Sequence, residues 1–209
     1  MDEKAKIPDK KKGFWPWLWW FLWTDNSIWS WMANIVLAFI LIKFVVYPGL
    51  GLLFGTGYPI VAVVSGSMQH DGYAFDQWWP RQCGAAKQND IYAQYGITPE
   101  DFQNYKFSDG FDKGDIMILT GPGNIAIGDI LVFWGDARQE PIIHRVVQVR
   151  QTPQGMLYKT KGDHNCGSAT FEDGISAQRM IGKAVLRIPF LGWIKIGFVE
   201  LLKQMGVAK

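Results

Sequence analysis

Apolar positions fall along the chain in two textures, a near-continuous run followed by short alternating stretches. Residues 1–12, M-D-E-K-A-K-I-P-D-K-K-K, form a charged leader expected to be disordered. The stretch G-F-W-P-W-L-W-W-F-L-W (13–23) is too short to span a bilayer, and its tryptophans and proline suit a segment lying in the membrane–water interface. T-D-N-S (24–27) then offers helix N-cap residues. Ile28 to Tyr47 follows as about 20 mainly apolar residues, the length a hydrocarbon core requires. Lys43 is the one charge in that run, and its long stem lets the ammonium snorkel toward headgroups.

Beyond residue 58 the period shortens. I-V-A-V-V (60–64), D-I-M-I-L (115–119), D-I-L-V-F-W (129–134), I-I-H-R-V-V-Q-V (142–149), M-L-Y-K-T-K (156–161) and K-A-V-L-R-I (183–188) read as β-strands bounded by Gly, Asp and Pro. T-P-Q-G (152–155) is a turn that makes residues 142–161 a hairpin. G-D-I occurs at 114 and at 128, each time opening a strand, which is repeated turn chemistry and not a domain duplication. A polar and aromatic insert of about 70–112 interrupts the strands. Within it Thr98, Pro99 and Asp101 have the spacing of an N-cap, a first-turn proline and a capping-box acid. I-K-I-G-F-V-E-L-L-K-Q-M near the C-terminus predicts an amphipathic helix too charged to span. The fold class expected is mainly β, a domain over 58–209 tethered by one transmembrane helix (28–47) behind a basic tail and Trp-rich segment (1–27).

Composition sharpens this picture in three ways. Net charge is only +2 and no Lys/Arg run interleaves with aromatics in the C-terminal part, which argues against a nucleic-acid partner. Seven of the eleven tryptophans lie within the first 31 residues, a concentration that the membrane interface selects and a soluble core does not. Lys10, Lys11 and Lys12 orient the N-terminus to the cytoplasm, leaving the rest of the chain outside. An uncleaved anchor fits better than a signal peptide, since Y-P-G-L-G-L-L-F-G-T-G-Y-P holds no small-x-small site. Cys83 and Cys166 can pair or stay free. His144, His164, Cys166 and a carboxylate match no common metal spacing, so neither a metal nor another cofactor is expected.

V-V-S-G-S-M (63–68) puts two serines just past the apolar run. A serine becomes a nucleophile when a base lies within hydrogen-bond reach and a third group orients that base. His144, in I-I-H-R-V-V, starts one strand of the hairpin, and Asp163, in K-T-K-G-D-H-N, follows the other. An antiparallel register therefore brings the two ends near each other. Spacing alone does not bring Ser67 to them. A strand histidine, a G-D turn and S-G-S are also ordinary structural material.

Taken in order, V-S-G-S-M after a span, G-D-I strands, H-R-V-V, T-K-G-D-x-N and I-G-K-A-V-L-R-I-P-F-L-G-W-I resemble the type I signal peptidases, in the archaeal and endoplasmic-reticulum branch. The resemblance covers roughly residues 28–195. It implies a mostly β catalytic domain on an N-terminal anchor, with Ser67 as nucleophile, His144 as general base, and Ser65 and Met68 at the oxyanion and substrate-binding side. Asp163 matches an aspartate important in this branch. The second acidic position of the pattern falls here at Ala169, so Asp173, with Glu172 beside it, is the nearest candidate, and the orienting acid is open between Asp163 and Asp173. Gln69 and His70 replace an acidic residue and a proline, a departure expected to touch the cleft's edge. Trp78 and Trp79 of the insert could dip into lipid.

The implied partners are signal peptides of secretory preproteins, the lipid bilayer and the protein-export channel. The implied location is a cell or endoplasmic-reticulum-like membrane, crossed once. Two rivals stay open: a Ser–Lys hydrolase using Lys161, and a non-catalytic β module that binds exported chains at the membrane.

Overall fold

The computed structural model describes residues 13–135 and 141–206, so the charged leader and Lys10–Lys12 lie outside the described residues. The chain divides into two compact units, Met1–Leu50 and Gly51–Lys209.

In the first unit the Trp-rich stretch is a helix, α1 (Phe14–Trp23), and the apolar run begins as α2 (Ile28–Leu41). Of the T-D-N-S residues, Ser27 is the cap. Its Oγ accepts the Ser30 N–H at 3.2 Å and donates to Asp25 at 2.6 Å. Two polar side chains of α2 turn toward α1: Ser30 Oγ donates to Phe21 O (2.6 Å) and Asn34 Nδ2 to Leu22 O (2.8 Å). They satisfy terminal carbonyls of α1 that no residue of its own helix can reach. α2 continues through a π-helical turn (Ile42–Val46) into α3 (Tyr47–Phe54). The π turn ends two residues before Pro48, which has no N–H for the i to i−4 ladder. The continuous helix Ile28–Phe54 has 27 residues and is long and apolar enough to cross a membrane. It outruns the expected end at Tyr47 because P-G-L-G continues the helix and does not break it.

The second unit is built on a six-stranded antiparallel sheet. Its strands are β1 (Ile60–Ala62), β4 (Ile116–Thr120), β5 (Ile130–Trp134), β6 (Pro141–Thr152), β7 (Gly155–Lys161) and β8 (Met180–Ile188). Each falls on one of the six expected stretches. Their order across the sheet is β1-β4-β8-β5-β6-β7. The T-P-Q-G turn closes the β6/β7 hairpin with Thr152 opposite Gly155. At both G-D-I sites the glycine takes a positive φ, 96° at Gly114 and 94° at Gly128. The aspartate that follows accepts the N–H three residues back, Asp115 from Asp112 (2.8 Å) and Asp129 from Ala126 (2.9 Å).

Both faces of the sheet are covered. Alternation on β5 sends Ile130 and Val132 into one cluster with Met68, Phe111 and Ile143, and sends Leu131 and Phe133 into another with Ile142, Val146, Tyr158 and Ile175. The insert forms a third cluster. It contains α4 (Phe75–Trp78), a small hairpin of β2 (Gln82–Cys83) and β3 (Ala86–Lys87), α5 (Gln88–Ala93) and α6 (Pro99–Asn104). Thr98 and Asp101 cap α6 reciprocally, with Pro99 in its first turn, as their spacing predicts. Trp78, Trp79, Tyr92, Ile97 and Phe102 pack together against Val147 of β6. Trp78 and Trp79 are 2 % and 7 % exposed, which corrects the expectation that they meet lipid: the insert spends them on its own core. Cys83 and Cys166 are joined in a disulfide. α7 (Trp193–Gln204) is the expected C-terminal amphipathic helix, burying Ile196 and leaving Ile194, Phe198 and Leu201 exposed.

Candidate active site

Register decides which side chains meet. β5 and β6 pair Leu131 with His144 and Ile130 with Arg145, so His144 and Arg145, adjacent in sequence, point to opposite faces. β6 and β7 pair Arg145 with Lys161 and Val146 with Thr160, which puts Lys161 on the Arg145 face and Thr160 on the His144 face.

On the His144 face, Nε2 lies 2.9 Å from Ser67 Oγ, in the loop that follows β1. Nδ1 is hydrogen-bonded to Glu172 Oε1. Glu172 sits at the end of a 3₁₀ turn, Thr170–Glu172, and is almost fully buried. Its Oε2 accepts the Ala169 N–H at 2.7 Å and its Oε1 accepts the Thr160 hydroxyl at 3.3 Å. A carboxylate facing Nδ1 holds the ring proton there, which leaves the Nε2 lone pair toward Ser67. Ser65 Oγ is 3.2 Å from Ser67 Oγ on the exposed side. The three groups line a cleft of about 610 Å³ whose apolar walls include Ala62, Val64, Ile142 and Ile143. That size suits a small-molecule or peptide-segment site.

On the Arg145 face, Asp163 is fully buried. It receives Arg145 Nε (3.0 Å) and an Arg145 terminal nitrogen (2.6 Å), and the Tyr92 hydroxyl at 2.7 Å. Burial alone would raise its pKa, but the Arg145 guanidinium and the hydrogen bonds from His70 and Arg145 outweigh burial and hold the carboxyl well below the usual range. Burial and the Asp163 charge push Tyr92 well above its ordinary value, so it stays a hydroxyl donor. Arg145 also donates to Lys106 O, Gly128 O and Phe107 O and lies over the Phe102 ring. Lys161 donates to Gln88 Oε1 (3.1 Å), Gly162 O (3.0 Å) and Asp163 O (3.3 Å). Burial lowers its pKa to about 8 despite the opposing pull of Asp163. Its three donors are thus engaged away from Ser67.

The sequence-predicted residues therefore separate. Ser67, His144 and Ser65 converge. Asp163 does not touch His144, because it follows β7 on the face that Arg145 occupies. Asp173 lies at the surface, bonded to Arg150 and 3.2 Å from Lys159. The acid at His144 is Glu172, whose longer side chain folds back to the N–H of Ala169, the very position where the acid was sought. Met68 is fully buried in the core with its sulfur accepting the Asp163 N–H, so it anchors the loop and does not line the cleft. His70 is likewise turned inward, stacked on Trp78 with ring centroids 3.6 Å apart and with Nε2 3.3 Å from Asp163 Oδ2. The departure from the pattern at Gln69–His70 thus bears on the buried network and not on the cleft's edge.

A serine hydrogen-bonded to a histidine whose other nitrogen meets a buried carboxylate is the arrangement that Ser–His–acid hydrolases use. Sequence comparison finds relatives of one kind. The chain is 26 % identical over 167 residues to the signal peptidase complex catalytic subunit SEC11 of Scheffersomyces stipitis, covering 75 % of each chain. It is 27 % identical over 175 residues to SEC11 of Colletotrichum graminicola, covering 78 % of this chain and 79 % of that one. With SEC11C of Homo sapiens the figures are 26 % over 159 residues, 72 % and 62 %. No family profile matches the chain. The chain is thus similar, over about three quarters of its length, to proteins named as catalytic subunits of signal peptidase complexes, in agreement with the resemblance read from its motifs.

Proposed function

We propose that this protein is a membrane-anchored serine endopeptidase that removes signal peptides from exported preproteins. The observation that carries the reading is the series Ser67–His144–Glu172 at the cleft. An extended substrate adds along β1, which is an edge strand, and sends small side chains into the cleft beside it. Ser67 Oγ attacks the scissile carbonyl carbon while His144 Nε2 takes its proton. Glu172 keeps Nδ1 protonated and stabilises the imidazolium that forms. The Ser65 hydroxyl and the Ser67 N–H serve the carbonyl oxygen as it becomes an oxyanion. His144 then gives its proton to the leaving amine as the C–N bond breaks. A water, deprotonated by the same nitrogen, hydrolyses the acyl-Ser67 ester. Neither Asp163 nor Asp173 takes a chemical step in this scheme. The helix Ile28–Phe54 is the anchor, with the N-terminus cytoplasmic, the lipid bilayer around it, and the export channel as the neighbour that delivers substrate.

Cleavage of a model preprotein by the purified full chain in detergent tests this. Ser67→Ala is expected to lose ~10⁴–10⁶-fold in kcat and Glu172→Gln about 10³–10⁴-fold, while Asp173→Asn stays near wild type. Equal cleavage by wild type and Ser67→Ala sinks the nucleophile assignment. Binding of preprotein without cleavage by wild type identifies the non-catalytic module instead. Loss of activity as pH drops below about 8 points to Lys161 as the base, since its pKa lies there.

A further inference from the structure

Segment 161–166 is held from two sides. One side is the floor under the nucleophile. The His164 N–H donates to Ser67 O at 2.9 Å, and the Asp163 N–H to Met68 Sδ at 3.4 Å. Gly162 has no room for a side chain, since a Cβ there would lie 2.7 Å from Ser67 O and 2.9 Å from His144 Nε2. A small displacement of this segment is therefore a displacement of Ser67 against His144.

The other side is gripped by the insert. Tyr92 OH donates to Asp163 Oδ1 at 2.7 Å. Gln88 Nε2 donates to Asp163 O at 2.9 Å, and Gln88 Oε1 accepts from Lys161 at 3.1 Å. Gln88 and Tyr92 are four apart on α5, hence on one face, and both are buried. A few residues further along, Cys83 ties the insert covalently to Cys166. Gln88 and Tyr92 touch neither Ser67 nor His144 in any hydrogen bond, and neither they nor Cys83 line the cleft.

We propose that α5 and the Cys83–Cys166 bridge form a clamp that sets Ser67 against His144 through segment 161–166, with Tyr92 as a positioning residue for the reaction. This rests on the reading of Ser67 as the nucleophile. The physical reason is tolerance. A reacting pair must be held near 3 Å and in line, and a misplacement of about 1 Å made far from the chemistry costs on the order of 10²-fold. Three of the clamp's contacts are polar and buried, and one is covalent. Cys166 is exposed at the surface, so the covalent contact opens to a reductant without any substitution.

The test uses the full chain in detergent, well below the melting temperature of every variant. It compares wild type, Tyr92→Phe, and Cys83→Ser combined with Cys166→Ser. Two quantities are read: kcat and KM on a preprotein, and hydrogen exchange at the His164 amide, whose bond to Ser67 O the clamp protects. Tyr92→Phe keeps the ring in the aromatic cluster and removes one hydrogen bond. It is expected to lower kcat roughly 10- to 100-fold with KM little changed, and to speed His164 exchange at least about 10-fold. Reducing the wild-type disulfide moves both quantities the same way and reoxidation restores them, whereas the double serine variant ignores the reductant. Unchanged kcat per folded molecule in Tyr92→Phe and in reduced wild type overturns the proposal, whatever the melting temperature does. If Tyr92→Phe does not fold, the reduction arm decides. If wild type itself does not cleave, the reading of Ser67 fails and the positioning role with it; exchange at His164 then reports separately whether α5 holds the segment.

Discussion

His144 and Arg145 are neighbours in the chain and belong to different parts of the molecule, because a strand turns successive side chains to opposite faces. His144 meets Ser67 and Glu172; Arg145 meets Asp163 and, at Lys106 O, Phe107 O and the Phe102 ring, the insert itself. The hairpin register that suggested an Asp163–His144 contact is real in the backbone and misses by one residue in the side chains. Lys161 shows the energetic cost of the second face. Its folded pKa, about 8, lies below the ordinary 10.5 because burial disfavours the charged form. The unfolded chain therefore binds more protons between these values, and stability rises with pH across that window by about 3 kcal/mol. Below pH 8 the full cost is present. The difference in urea stability between wild type and Lys161→Met should therefore grow in favour of wild type from pH 8 to 10.5; a flat difference would show that the lysine titrates normally. Asp163 gives a slope of the same sign, since its pKa is also lowered, but its net effect is a gain and not a cost. Its depressed pKa contributes stability above the ordinary carboxylate range, and that stability is lost as acid protonates it.

The insert carries most of what pattern reading left unexplained at the scale of elements. Its helices are short, and α6 is legible from Thr98, Pro99 and Asp101 alone. Its destination is not legible, because aromatic residues at irregular spacing give no periodic face. Packing assigns it: Trp78 lies against Phe102 with centroids 5.3 Å apart and stacks on His70, whose Nε2 is 3.3 Å from Asp163 Oδ2. Trp78→Ala is expected to cost roughly 3–5 kcal/mol, the range for removing a buried large aromatic. Its urea midpoint at constant m-value checks this. A cost under about 1 kcal/mol would return Trp78 to the surface role that its sequence context suggests. The two G-D-I turns are the contrasting case. Glycine at positive φ followed by an aspartate that accepts a backbone N–H is a local device, so three letters suffice to recognise it.

For the whole molecule, the proposed function assigns anchoring to the first unit of chain and catalysis to residues of the second. Tethering raises the effective concentration of enzyme for substrates in the same bilayer and makes no new contact with them. Deleting residues 1–50 is accordingly expected to leave kcat on a soluble peptide near the full-length value. The rate on a preprotein embedded in vesicles should fall by about 10²–10⁴-fold. Parallel assays on the two substrates separate the effects, and an equal loss on both would mean that the first unit is needed for the catalytic fold itself.

The sequence by itself determined the elements whose signal is local. These are the apolar run of α2, the six strands, the hairpin turn, the α6 cap and the serine and histidine motifs, for which a few adjacent residues suffice. Tertiary structure decided which acid meets His144, where Trp78 and Trp79 go, and that Cys83 pairs with Cys166. Each of those depends on which strand face a residue occupies, or on how far a loop turns back. A 3₁₀ turn returns Glu172 to the place of Ala169, and neither the turn nor the reach of the longer side chain leaves a periodic trace in the chain.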